Sequence, residues 1–129
     1  MENLLNSMVS AAHGLTVQSA RLRVSSENIA NADTPGYHRK ILTFSEAMSG
    51  TDGTLPVPGS VTFSRGELER IFQPEHPLAD AEGYYDGTNV ELMVEIADAR
   101  EAQRSYEANL RMLDQSRQMA SGFLELLRR

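Results

Sequence analysis

A seven-residue apolar repeat at each end of the chain restricts the fold more than any other feature. Met1, Met8, Leu15, Leu22 and Ile29 recur at that interval, and Leu5, Ala12, Ser19 and Ser26 follow the first four at a distance of four. That is the pattern of one face of a single long helix over residues 1–30. Its second row shrinks to small side chains, which suits either the close-packed face of a pair within one chain or the approach of a helix from another. Gly14 interrupts the pattern and costs roughly 1 kcal/mol relative to Ala in a helix, a loss that close packing offsets.

The repeat returns near the C-terminus in Leu92, Ala99, Tyr106, Leu113, Ala120 and Leu127, with Ile96, Leu110 and Leu124 on the adjoining row. No Pro falls between Asn89 and Leu127 and the only Gly is Gly122, so one helix is expected over 89–129, its stretch from Asn89 to Leu127 roughly 55 to 60 Å long at about 1.5 Å per residue. Glu91, Glu95, Asp98 and Glu101 stand early in it and Arg128 and Arg129 at its end, as the helix dipole favours. Glu107 and Arg111 are spaced to pair along the surface.

Between the helices, residues 31–88 change character. Lys40 to Phe44 is expected as a short strand, and Gly50 to Gly59, with three Gly and two Pro, as a loop. Val61–Phe63 and Leu68–Phe72 are expected to form a small hairpin around Ser64-Arg65-Gly66, and 73–88, with Pro74, Pro77, Gly83 and Gly87, to be irregular. The expected fold is mainly α with a small β insert. Its long terminal helices pack as an antiparallel, coiled-coil-like pair, with a β-hairpin and irregular loops between them. Two helices cannot cover both stripes, and other copies of the chain are the simplest source of the missing cover.

Composition excludes several functions. Hydrophobic residues are 40% of the chain but aromatics only 6%, with no Trp, so the large anchors of a compact core are scarce. A net charge of −6 without a basic patch argues against nucleic acid or an anionic membrane as partner. The absence of Cys removes disulfides, thiolate metal sites and a Cys nucleophile. No apolar run approaches the ~20 residues of a membrane span, and the start lacks the charged and apolar regions of a cleaved signal.

The stretch from Asn28 to Lys40, NIANADTPGYHRK, carries the most information. Asn31 suits a helix C-terminus because Asn tolerates the left-handed conformation, Thr34 is pushed toward extended backbone by the proline that follows it, and Pro35-Gly36 fit the centre of a type II turn. Tyr37 then restarts an extended run. Ser25 to Tyr37, SSENIANADTPGY, resembles the signature of the flagellar rod and hook family of axial proteins. Pro74-Glu-His-Pro-Leu-Ala-Asp80, Gly83-Tyr84, Asn89-Val90 and Ala102-Gln-Arg-Ser-Tyr-Glu-Ala-Asn109 narrow the resemblance to its proximal-rod branch. Only about residues 45 to 60 are unmatched.

The resemblance implies a non-catalytic building block of the basal body, exported through the flagellar type III apparatus without a cleaved signal. It would assemble helically with other copies of itself and other rod proteins into a drive shaft and export channel spanning the periplasm. The terminal helices would form the inner layer and the middle region would pack outward. Met8, Leu15, Leu22, Ile29, Leu92, Ile96, Ala99, Tyr106, Leu110, Leu113, Ala120 and Leu127 are the expected packing residues, and Asn28, Asn31, Thr34, Pro35, Gly36 and Tyr37 the family turn.

No cofactor, small-molecule substrate or catalytic residue is expected. His13, His38 and His76 fall in a helix, an extended run and a Pro-rich loop, so a metal site would need accidental convergence. Asp80 and Glu82 are near in sequence, but such pairs in loops are usually solvated, and no strained Gly-x-Ser-x-Gly turn presents a serine. An alternative of a different class is a soluble or secreted coiled-coil adaptor that binds one partner helix. It predicts a discrete folded species, where the axial reading predicts frayed ends and concentration-dependent assembly.

Overall fold

The computed structural model describes residues 2–49 and 53–129. Its order is α1 (Glu2–Ala30), β1 (Lys40–Ser49), β2 (Gly53–Phe63), β3 (Arg70–Phe72), β4 (Tyr84–Asp86) and α2 (Leu92–Leu127). Met1 of the first repeat and residues 50–52 of the expected loop lie outside the described residues.

The two helices run antiparallel. Gly14 lies against Asn109, and toward the other end Arg21 reaches Glu101 at 3.8 Å. A methyl on Gly14 would stand 2.7 Å from Asn109 Oδ1, so the glycine is what lets the backbones approach here, and the close approach offsets its helix cost. The row Leu5, Ala12, Ser19 and Ser26, expected to admit a close helix, is exposed instead.

α2 starts at Leu92, three residues later than expected. Asn89 is held out of the helix because its Oδ1 accepts the Arg39 N–H at 2.6 Å while its Nδ2 donates to the Gly66 carbonyl at 3.4 Å. Glu107 and Arg111 are both exposed and form no ion pair among the described residues.

The middle region departs further from expectation. β1 pairs antiparallel with β2 from Lys40↔Phe63 to Ser49↔Gly53, so strand replaces most of the expected loop. The ladder shifts between Leu42 and Phe44. There Thr43 Oγ1 donates to the Ser60 carbonyl at 2.9 Å and accepts the Ser60 N–H at 3.1 Å, so a side chain substitutes for regular ladder bonds. Pro56 and Pro58 are tolerated in β2 because a two-stranded ribbon is all edge.

The hairpin expected between 61–63 and 68–72 does not form. Val61 and Thr62 are already paired with Leu42 and Ile41, and Ser64 N–H continues outward to the Arg39 carbonyl at 2.8 Å. β3 finds its partner in β4 instead, Arg70↔Asp86 to Phe72↔Tyr84, inside the segment expected to be irregular. Asp80 organises the intervening loop: Oδ1 accepts the N–H of Glu82 and of Tyr84 at 2.9 and 3.0 Å, and Oδ2 takes Arg70 at 2.7 Å. His76 stacks on Tyr85 at 3.9 Å.

Candidate assembly surface

The family turn is the inner part of a polar clamp. Ala30 ends α1, the Ala32 N–H reaches back to the Ile29 carbonyl at 3.2 Å, and Asn31 Nδ2 donates to the Glu27 carbonyl at 2.8 Å. The Asn31 N–H bonds the same carbonyl at 3.1 Å, so Asn31 holds the last turn of α1 with backbone and side chain together. Tyr37 N–H bonds the Thr34 carbonyl at 3.2 Å and Gly36 has φ 76°, the bond and the positive φ of a type II turn with Pro35 and Gly36 at its centre. Gly36 N–H also points at the carbonyls of Asp86 and Gly87, at 3.2 and 3.0 Å, which ties the turn to the end of β4.

Asn28 sits at the centre of this clamp, fully buried. Its Oδ1 accepts both the Tyr37 hydroxyl and the Lys40 N–H at 2.8 Å, and its Nδ2 donates to the Lys40 carbonyl at 3.0 Å. One amide side chain therefore pairs with Lys40 as a neighbouring strand would, fixing where β1 leaves the helix. Burial is the main reason the Tyr37 hydroxyl is raised above its ordinary pKa; Lys40 opposes the shift, and Glu27 and Glu95 add to it.

A second group closes the clamp from α2. Glu95, 1% exposed, accepts Arg39 Nε at 2.9 Å. Lys40 Nζ bonds Glu27 at 2.8 Å, chiefly for which reason its pKa is raised. Thr88 Oγ1 donates to the Ala32 carbonyl at 3.0 Å. In the sequence Glu95 stood out only for the helix dipole and Asn89 only within the family resemblance, and Arg39 and Thr88 were missed. Arg39 and Glu95 stand 56 positions apart, and no local spacing announces such a pair.

Beyond the clamp, the helix pair buries few large side chains. Among the described residues the buried hydrophobic ones are Ala11, Val17, Val24 and Ala102, and the buried polar ones on the helices are Ser25, Asn28, Glu95 and Ser116. In α2 the row Glu95, Ala102, Asn109 and Ser116 repeats every seven residues as the expected row does, but about 40 to 60° further round the helix at ~100° per residue. α1 is displaced in the same way. Ala11, Ser25 and Asn28 are buried, whereas Met8, Leu15, Leu22 and Ile29 are half-buried.

The expected packing residues of α2 divide. Ile96, Ala99, Leu113 and Ala120 are half-buried. Leu92, Tyr106, Leu110 and Leu127 are exposed, at 46, 36, 41 and 70%, and Tyr106 borders a cleft with Leu15, Ala20, Arg23 and Pro58. Small and polar residues occupy the inner seam because the backbones approach closely at Gly14, leaving no room there for leucines. The large apolar side chains flank the seam, and Met112, Met119, Phe123, Leu124 and Leu126 are more than half exposed or nearly so. Apolar side chains are thus exposed on both sides of the seam along α2, an extent of apolar surface uncommon on an isolated chain.

Family comparison decides what kind of molecule carries that surface. Residues 8–38 match the family model described as flagella basal body rod protein, and residues 81–125 match the C-terminal model of the flagellar basal body rod FlgEFG proteins. A flagellar basal-body rod protein FlgC from Agrobacterium fabrum is 41% identical over 126 residues, covering 92% of this chain and 91% of the relative. FlgC proteins of Escherichia coli O6:H1 and Bacillus subtilis are 35 and 30% identical, each over 90% of this chain and 92 and 93% of their own length.

The chain belongs to the flagellar basal-body rod protein family. As a rod-family member it is a structural subunit of the basal body, and the FlgC relatives span the terminal helices and the insert alike. The first family match covers the part of α1 that carries the clamp and the turn, and the second runs from the loop before β4 through most of α2. Among the described residues no helix is long and apolar enough to cross a membrane.

Proposed function

We propose that the chain builds the proximal rod, where the apolar rows flanking its helix seam are buried by other copies of itself and by other rod proteins. The observation that carries this reading is the burial pattern of the helix pair: alanines, polar groups and two valines are fully buried, while the leucines, methionines and aromatics are half-buried or exposed. A pair that folded for its own sake would bury those side chains, since each fully buried one contributes about 1.5–3 kcal/mol. In this reading residues 1–30 and 89–129 form an inner helical layer around an export channel, and residues 31–88 pack outward. The twelve packing residues are assembly contacts, and the clamp from Asn28 to Tyr37 holds the two layers at a fixed angle. The subunit reaches the periplasm-spanning rod through the flagellar type III export apparatus, without a cleaved signal, and it performs no catalysis.

The test uses side chains that the free chain leaves exposed. Leu110→Asp and Leu124→Asp should leave the purified chain folded and helical, with a loss of no more than about 1–2 kcal/mol from helix propensity and partial burial, because residues 41 and 54% exposed are not its core. In cells lacking the parent gene the same variants should abolish rod assembly and swimming. Normal swimming would reject the reading; a loss of folding in the free chain would move weight to an adaptor with a self-sufficient helical core.

A further inference from the structure

Gly14 and Gly122 are the two glycines inside the helices, and each costs its helix roughly 1 kcal/mol relative to Ala. Asn109 fills the space over Gly14, whereas among the described residues outside its own helix turn nothing lies within 4 Å of where a Cβ on Gly122 would stand. Gly122 opens into a groove of about 600 Å³ at the end of the pair where α1 begins and α2 ends, its walls including Leu4, Ser7, Ser116, Met119, Phe123 and Leu126. Among the described residues the groove is lined by no charged side chain, so its walls favour an apolar partner.

The same end of the molecule exposes a second apolar surface, on the other side of α1. Leu5 and Val9, 55 and 43% exposed, lie on the far side of α1 from Ser7 at ~100° per residue. Groove and second surface face opposite ways, so two copies cannot fill each other's grooves at once. A contact between unlike surfaces of one chain does not close into a symmetric pair; it propagates as a ring or an open helix. Its area points the same way. At about 100 Å² of apolar surface per side chain, Leu5, Val9, Met119, Phe123 and Leu126 supply on the order of 500 Å², well under the ~1,200 Å² of a stable isolated complex. Such a contact holds only where each copy has several neighbours.

We infer that the Gly122 groove receives the Leu5–Val9 face of α1 from a second copy of this chain. The inference rests on the rod reading above and names the partner at one of its contacts. Gly122 is the notch that lets the incoming helix approach, as Gly14 does within the chain.

The chain has no Cys, so engineered thiols report without interference. In cells expressing a Val9→Cys chain together with a Met119→Cys chain, oxidation of isolated basal bodies should link the two variants to each other. Separately, Gly122→Leu should leave the unfolding midpoint of the free chain unchanged or raised, because the site is open and Leu is a better helix former, yet reduce the number of completed rods at least tenfold. Absence of the linked pair, linkage of the Met119→Cys thiol to a different rod protein only, or normal rods from Gly122→Leu would overturn the inference. If Gly122→Leu assembles normally while Leu110→Asp still does not, this contact is wrong and the rod reading stands. If both assemble normally, the rod reading itself fails.

Discussion

Truncating Asn28 tests the clamp most sharply, because one buried side chain holds three groups at once. Asn28→Ala removes acceptors from the Tyr37 hydroxyl and the Lys40 N–H and a donor from the Lys40 carbonyl. A typical net contribution is about 0.5–1.5 kcal/mol per hydrogen bond, and a buried group left without a partner costs about 1–3 kcal/mol. Tyr37 and Lys40 are themselves only half-buried, so water can reach part of what is lost, and the expected cost is about 2–4 kcal/mol. Against a domain stability of roughly 5–15 kcal/mol that is a large fraction, readable as a lower urea midpoint by circular dichroism of the purified chain.

Asn28→Asp separates the chemistry from the packing. At neutral pH it keeps both acceptor bonds, loses the donor to Lys40 and buries a charge near Glu27 and Glu95, so it should destabilise at least as much as Ala. Protonation restores a donor, so the deficit relative to the parent should shrink as pH falls toward ~4, the ordinary range of a carboxyl. An Asn28→Ala cost below about 1 kcal/mol, or a pH-independent deficit for Asn28→Asp, would refute the clamp.

Three further outcomes follow from the same geometry. Arg39→Met leaves the buried Glu95 carboxylate without its cation and should cost about 3 kcal/mol in chemical unfolding, while adding Glu95→Leu to it should recover most of the loss; equal deficits in the single and double variants would count against a buried pair. Asp80 has its pKa lowered from 3.8, first by the Tyr84 amide bond and then by Glu82 and Arg70, so its contribution is present above that ordinary value and disappears as pH falls through the lower folded value. The protection of the Glu82 and Tyr84 amides, corrected for the intrinsic pH dependence of exchange, should therefore fall in the parent once the pH drops below the ordinary carboxyl range, and should be low at every pH in Asp80→Ala; protection that acid leaves unchanged in the parent would remove Asp80 from its assigned role. Gly14→Leu should lower the thermal midpoint by overpacking against Asn109, worth about 1–3 kcal/mol, and Gly14→Ala with Asn109→Ala should be at least as stable as the parent, since the clash is gone and the helix gains a better former; a tolerated Gly14→Leu would mean that the helices do not touch there.

The helices were legible because their periodicity extends over about thirty residues or more at each end, which no strand or loop imitates. Which side of each helix meets the other was not legible. The conspicuous apolar rows at Leu15, Leu22, Leu113 and Leu127 invite pairing with one another, yet the closest approach is governed by Gly14 and by polar groups that find partners, Asn28 with Lys40 and Glu95 with Arg39. A repeat records the total burial a chain seeks, without distinguishing its own helix from a neighbour's. The β insert was read poorly for a related reason: Val61–Phe63 and Arg70–Phe72 have strand character, but the local turn signal at Ser64-Arg65-Gly66 competes with partners twenty residues upstream and fourteen downstream, and in both cases the distant partner wins. The turn at Pro35-Gly36 was readable because Pro fixes one φ and Gly permits the other, both local requirements. Its connection to Thr88 and Asn89 across the fold was not.

The central claim is that the apolar rows outside the helix seam are covered only when the chain is part of a rod. Single cysteines at Leu110→Cys and Leu124→Cys measure this directly, because the chain supplies no thiol of its own. Their rates of reaction with a water-soluble maleimide would be compared in the free chain and in isolated basal bodies. The account predicts fast labelling of both in the free chain and at least a hundredfold protection in the rod. Equal labelling in the two states would show that these rows stay in water after assembly, and would contradict it.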